Sequence, residues 1–217
     1  MKIAAIIQAR LKSTRLPNKC MLEIEGRPML GHIIDRVRKA IPEIIIATPD
    51  AEIAFFAITE GCLAFVGSEN DVLDRYYQTA KHYKVENIVR VTSDNPLIDP
   101  DVIQKVVDYY YSGDFDYVSN WLKKTYPVGC DLEIFSFKTL ETAWKESTET
   151  YQREHVTPYI YRHPQKFKLG NVESGRNLWH LRWTVDTQED LDFARSIYHK
   201  LGSNFRMNDV LREGIKV

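Results

Sequence analysis

Short apolar runs alternate with amphipathic stretches through the first half of the chain, and this alternation is what most restricts the fold. Lys2–Ile7, Ile44–Thr48, Cys62–Val66 and Asn87–Thr92 are apolar runs of strand length. Helical patterns separate and follow them. In Pro28–Ala40, Leu30, Ile33, Ile34 and Val37 form one stripe, and Pro28 suits a first turn. Ala51–Glu60 is stopped by Gly61, and Asp71–Tyr83 and Asp101–Tyr111 complete the set. Strands that are apolar throughout are buried on both faces. The expected class is therefore α/β, a mainly parallel sheet with helices on both faces. With 217 residues, the chain fits one domain, 1–217, at the usual ~100–200 residues per domain.

The second half is less regular. Tyr117–Ser119, Asp131–Phe135, Lys166–Val172 and Leu181–Val185 read as strands. Thr139–Ser147 and Arg153–His163 read as helices, with Pro158 bending or breaking the second. Gln188–Leu201 is a strong helix. The stretch 121–163 is expected to hold an excursion, with Trp121–Cys130 leaving the core.

Bulk properties exclude several classes. A formal net charge of −1 gives no field for coating nucleic acid. No run approaches the ~20 apolar residues of a membrane span. The apolar run near the start ends at Gln8-Ala9-Arg10, which favours a buried strand over a signal peptide. Cys20, Cys62 and Cys130 are far apart and form no C-x-x-C pair, so free thiols in the cytoplasm are expected.

Gln8–Lys19, QARLKSTRLPNK, carries the chemistry. Arg10, Lys12, Arg15 and Lys19 follow directly on the first strand, with no acidic residue before Glu23. Ligands of open parallel sheets bind beyond the strands' carboxyl ends. Four cations there suit a polyphosphate, because arginine offers a planar fork and lysine a compact charge. A solvated basic loop is the alternative. The loop matches neither the P-loop nor the dinucleotide-binding glycine pattern.

A triphosphate calls for a divalent cation, and magnesium is usually held by one or two carboxylates plus phosphate oxygens. Asp94 ends the strand run NIVRVTS and Asp186 ends LRWTV. In one parallel sheet both would reach the edge that carries the basic loop. Each has a structural alternative: Asp94 an Asx-turn before Asn95-Pro96, Asp186 a helix cap. Thr187 with Asp190 can cap that helix instead. Asp99 before Pro100 reads as a cap.

MKIAAIIQARLKSTRLPNK, GSENDVLDRYYQ, VRVTSDNPLIDPDVI, REHVTPYIY and LRWTVDTQEDL, in this order, resemble the cytidylyltransferases of the spore-coat polysaccharide type, relatives of CMP-Kdo and CMP-sialic acid synthetases. The resemblance spans about Met1 to Leu201. It implies a glycosyltransferase-A-like fold, CTP as donor, transfer of CMP to a hydroxyl of a sugar acceptor, and release of pyrophosphate. It further implies that Arg10, Arg15 and Lys19 grip the triphosphate, and that Gln8 and Ala9 line the nucleotide through the backbone. Ser68 would lie near the cytidine, and Asp94 and Asp186 would hold magnesium. Asp131 and Glu133, two apart on one strand face, would lie near the acceptor with Arg153 and His155. Relatives often carry Arg-Gly where this chain has Val128-Gly129. A 2-keto sugar acid is the expected acceptor and a homodimer the expected assembly. A CDP-forming transferase acting on a sugar or alditol phosphate, and a metal-dependent glycosyltransferase, are the rival readings. Zinc chemistry and a serine hydrolase lack their motifs.

Overall fold

A computed structural model describes residues 2–213. Nine strands form: β1 (Ile3–Gln8), β2 (Glu23–Ile24), β3 (Arg27–Pro28), β4 (Ile44–Thr48), β5 (Leu63–Val66), β6 (Asn87–Thr92), β7 (Tyr117–Ser119), β8 (Glu133–Ser136) and β9 (Leu169–Asn171). The helices are α1 (Met29–Arg38), α2 (Ala51–Thr59), α3 (Val72–His82), α4 (Pro100–Ser112), α5 (Phe137–Glu146), α6 (Thr150–His155), α7 (Pro158–Tyr161), α8 (Gln188–Leu201) and α9 (Met207–Glu213).

Seven strands make one sheet in the order β5-β4-β1-β6-β8-β7-β9, and β2 pairs with β3 in a separate hairpin. Only β8 runs against the others, antiparallel to both β6 and β7. Side chains alternate across each strand, which divides the core in two. Ala5, Ile7, Ile46 and Val91 pack with α1, α4 and α8 on one face. Ala4, Ile6, Ile45 and Ile88 pack with α3, α5 and α7 on the other. The two-sided α/β sheet expected from sequence is therefore the observed one.

One expected strand is corrected. Leu181–Val185 forms no strand; a single bridge joins Arg182 to Val128. Its backbone bonds are shared between two segments, with Trp183 N–H donating to Val128 O and Val185 N–H to Asp94 O, so no ladder builds up. The helix expected over Arg153–His163 is broken near Pro158 as expected, though it starts earlier: α6 and α7 meet at Val156, φ 71°, and Pro158 opens α7. Within 121–163, β8 takes an interior place in the sheet between β6 and β7.

A buried arginine fastens the loop after β6. Arg36 of α1 is 1% exposed, and its Nε donates to Ile98 O at 2.6 Å. Its Nη2 donates to Phe205 O at 3.2 Å. Tyr198 of α8 donates to Pro96 O at 2.8 Å. Both side chains thereby hold the segment that follows Asp94. Asp99 caps α4 through Asp101 N–H, as read from sequence. No helix among the described residues is long and apolar enough to cross a membrane.

Gly129 marks the tightest backbone approach. Its φ is +105°, and a Cβ there would sit 2.7 Å from Thr184 N and 2.8 Å from Trp183 C. Gly175 also has positive φ, +80°, but faces open space. Gly175→Ala is expected to cost about 1 kcal/mol through backbone strain alone. Gly129→Ala should cost clearly more, since backbone must also move. Urea unfolding of the two variants checks this, and equal losses would contradict the close approach.

Candidate active site

Four segments converge at the carboxyl ends of the central strands. β1 and β6 are parallel with Gln8 opposite Thr92, so the loops after them start at the same level. The loop after β1 folds back on itself: Leu11 N–H donates to Asp50 Oδ2 at 2.8 Å, and Asn18 N–H to Leu11 O at 3.0 Å. Asn18, in the left-handed region at φ 56°, leads into a short 3-10 helix, Lys19–Met21. That turn aims Lys19 across the sheet edge. Its Nζ lies 3.1 Å from Asp94 Oδ2, 2.9 Å from Asp186 Oδ1 and 3.1 Å from Val185 O.

One ammonium thus joins both carboxylates. Arg15 adds a second contact to Asp186 Oδ1 at 3.0 Å, and Arg182 binds Oδ2 at 2.5 Å. Partial burial works against the charge on Asp186, but Lys19, Arg15 and Arg182 outweigh it and hold its pKa below the ordinary carboxylate value. Asp186 is not spent as a helix cap. Thr187 and Asp190 form a reciprocal capping box on α8, the arrangement that leaves Asp186 free to face the cavity. Asp94 Oδ1 accepts from Thr92 Oγ1 at 2.6 Å, which orients it.

These groups line a cavity of about 900 Å³. Gln8, Ala9, Arg10, Arg15, Lys19 and His155 also line it. The Arg10 residue is exposed, and its side chain makes no hydrogen bond or ion pair among the described residues, while its carbonyl accepts from Cys20 Sγ at 3.5 Å. Ala9 N–H is committed to Ala47 O at 3.3 Å, and Gln8 Oε1 accepts from Arg90 Nη2 at 3.1 Å. Lys12 reaches sideways to Glu69 at 2.7 Å.

A second cavity, of about 380 Å³, shares Arg90, Thr92 and Asp94 with the first. Asp131 and Glu133 both line it, as expected of residues two apart, although Asp131 precedes β8. Glu133 is not a solvated side chain. It is 2% exposed, paired to Arg90, and accepts from Tyr117 and Thr157 hydroxyls at 2.6 Å each. Trp121, Lys124 and Trp179 form part of the outer wall, with Lys124 Nζ 5.7 Å from the Trp179 ring centroid.

Two sequence candidates stand outside both linings. Ser68 Oγ accepts from Asp71 N–H at 3.0 Å, which shapes the entry to α3. Arg153 ties α6 to α3 through Asp71, with Nε at 2.9 Å, and donates to Trp144 O at 2.7 Å. Two arginines escaped sequence reading. Arg90 sits inside the apolar run of β6, where strand alternation alone points it toward one face. Arg75 of α3 is 1% exposed, lines the first cavity, and forms no ion pair among the described residues. Its Nε has no partner, and Nη1 binds Ser68 O. A buried guanidinium with spare donors is costly unless an electron-rich group meets it. An arginine amid the apolar positions of α3 was the available sequence signal.

The described residues hold no group of three or more His, Cys, Asp or Glu side chains able to bind a metal. The pair Asp94 and Asp186 nevertheless fits magnesium, which commonly takes one or two carboxylates and fills its shell with phosphate oxygens and water. The Lys19 ammonium shows that both carboxylates can face one cation.

A doubly covered, mainly parallel sheet with cations and two carboxylates gathered beyond its central strands is the arrangement of the nucleotidyltransferase class. The cytidylyltransferase family profile matches residues 4–215. The chain belongs to that family and is a cytidylyltransferase. It is 41% identical to an uncharacterised protein of Methanocaldococcus jannaschii, over 97% of this chain and 87% of that one. It is 31% identical to the spore coat polysaccharide biosynthesis protein SpsF of Bacillus subtilis, over 92% and 88%. A solved cytidylyltransferase from Leptospira borgpetersenii superposes with a TM-score of 0.91 at 31% identity, over 98% and 93%.

The Lys19 clasp has a pH signature. A depressed carboxylate contributes stability above its unfolded pKa and loses it as pH falls through the folded value. Lys19→Met should therefore cost about 1–3 kcal/mol near pH 7, and the penalty should shrink below about pH 4. Urea unfolding across pH measures it, and a penalty unchanged at acid pH would contradict the assignment.

Proposed function

We propose that the enzyme transfers CMP from CTP to a hydroxyl of a sugar acceptor and releases pyrophosphate, with magnesium as cofactor. The observation that carries this reading is the joint hold of Asp94 and Asp186 on one cation position beside the basic loop. Bound there, the divalent ion neutralises phosphate charge and orders its oxygens.

The protein's own groups supply the rest. Arg10, Arg15 and Lys19 bind the triphosphate and offset charge on the departing pyrophosphate. Lys19 and Arg15 exchange Asp186 oxygens for phosphate oxygens, which have the same charge sign and donor demand. Gln8 and Ala9 wall the nucleotide, and Arg75 offers its spare N–H groups to an electron-rich edge or oxygen. The second cavity takes the acceptor, since it shares Asp94 with the first. Trp121 and Trp179 give flat faces for a sugar. Lys124 gives a cation for an acid group, which suits a 2-keto sugar acid and a CMP-sugar product. His155 at the rim of the first cavity adds a polar contact. Surface polysaccharide assembly is the proposed use of the product, and a second copy of this chain the proposed partner.

The test is pyrophosphate production from each of the four triphosphates with magnesium, against 2-keto sugar acids and sugar phosphates, with the nucleotide product weighed by mass spectrometry. CTP with a keto-sugar acid should give a CMP-linked product. A CDP-linked product identifies a phosphorylated acceptor, and turnover found with a nucleotide-sugar but with none of the four triphosphates identifies glycosyl transfer. Asp186→Asn should lose most turnover, at least about 100-fold, while remaining folded at the assay temperature. Undiminished pyrophosphate release would refute its metal role. Lys19→Ala should weaken CTP more than CMP, and equal loss would place Lys19 away from the outer phosphates.

A further inference from the structure

Three carboxylates line the second cavity, and their partners differ. Asp94 is bound to the Lys19 ammonium at 3.1 Å. Glu133 is bound to Arg90 and to two hydroxyls. Asp131 has no cationic partner among the described residues; its recorded hydrogen bond is from Gly129 N–H, at 3.4 Å. That N–H is fixed by the close packing of Gly129 on the Trp183–Thr184 backbone.

Pairing decides what each carboxylate can do. A carboxylate held by a cation and several donors is a weak base, because those contacts favour its charged form. A carboxylate taken out of water without a cation holds a proton more tightly. Asp94 and Glu133 each have a cation bonded to them, and Asp131, half-buried, has none among the described residues. Thr92, Asp94 and Arg90 wall both cavities, so a hydroxyl seated at their junction shares its lining with Asp131.

We propose that Asp131 is the catalytic residue that accepts the proton of the attacking acceptor hydroxyl. The proposal rests on the nucleotidyl-transfer reading above. As the acceptor oxygen bonds to the α-phosphorus, the bond from that phosphorus to the bridging oxygen breaks. Pyrophosphate leaves with that electron pair, and the hydroxyl proton passes to an Asp131 carboxylate oxygen. Water removes it afterwards.

The electrostatics support the role. Burial pushes the Asp131 pKa up to about 6, opposed by Gly129 N–H, assisted by Glu133 and Asp94, and opposed by Lys124. The group is thus ionised at pH 7 yet far more basic than an exposed aspartate, the match a general base needs. Arg90 faces the same cavity but is committed to Glu133. Across the junction, His155 loses solvent, which lowers its pKa against the pull of Glu154, and Arg90 and Arg10 lower it further.

The experiment compares wild type, Asp131→Asn, Asp131→Glu and His155→Gln at saturating CTP and acceptor. Wild-type kcat should rise about tenfold per pH unit below about pH 6 and level off above. Asp131→Asn should lose about 100-fold or more in kcat at pH 7, keep its CTP affinity, and show no limb near pH 6. Asp131→Glu should recover part of the rate with a displaced limb, and it keeps the test decisive if the asparagine variant does not fold. His155→Gln should retain the limb. A limb that survives in Asp131→Asn, or a change confined to acceptor KM, overturns the proposal while leaving nucleotidyl transfer standing. No pyrophosphate from wild type with any acceptor overturns both.

Discussion

One ammonium group ties together three parts of the chain that are distant in sequence. Lys19 comes from the loop after β1, Asp94 from the end of β6 and Asp186 from the turn before α8. Two carboxylates aimed at one position repel each other, and a cation between them turns that repulsion into attraction. The rest of the site follows. The carboxylates face inward because Thr187 and Asp190 relieve Asp186 of capping, and because Thr92 orients Asp94. The basic loop is drawn over the cavity because Arg15 joins the same oxygen of Asp186 as Lys19 does.

Charge pairing also sorts the two cavities. The first holds cations with few commitments, Arg10 exposed and Arg75 buried with spare donors, so it suits an anionic, electron-rich ligand. The second holds two carboxylates bonded to cations and one, Asp131, with no ion pair among the described residues, beside aromatic faces. Arg90 stands in the wall between them, bonded to Glu133 on one side and Gln8 on the other. Its burial fits the rule that interior charges are stable only when paired and hydrogen-bonded. Remote side chains keep this wall in register, since Arg36 and Tyr198 hold the loop that follows Asp94 from helices on the far side of the core.

The sheet was legible where a strand's burial shows in its own residues. Ile44–Thr48 and Asn87–Thr92 are legible with the observed bounds, because each has a run of β-branched apolar residues at its centre or along its length. Leu181–Val185 was equally apolar but forms no strand. Burial alone does not make a ladder when the hydrogen bonds go to two separate segments. The hairpin β2-β3 and helix α9 were missed because elements so short carry too little period to detect.

Sequence alone determined most of the longer elements, the basic loop and the acidic residue at the end of β6, since these depend on local side-chain pattern. Relatives had made the family legible in five ordered motifs. Only the tertiary structure decided which charges meet. Lys19 pairs with carboxylates 75 and 167 positions away, Arg153 turns to Asp71 instead of a cavity, and Glu133 is buried against Arg90. The physical reason is that ionic and hydrogen-bond energies depend on distance and burial in space, and neither is written in the spacing of residues along the chain.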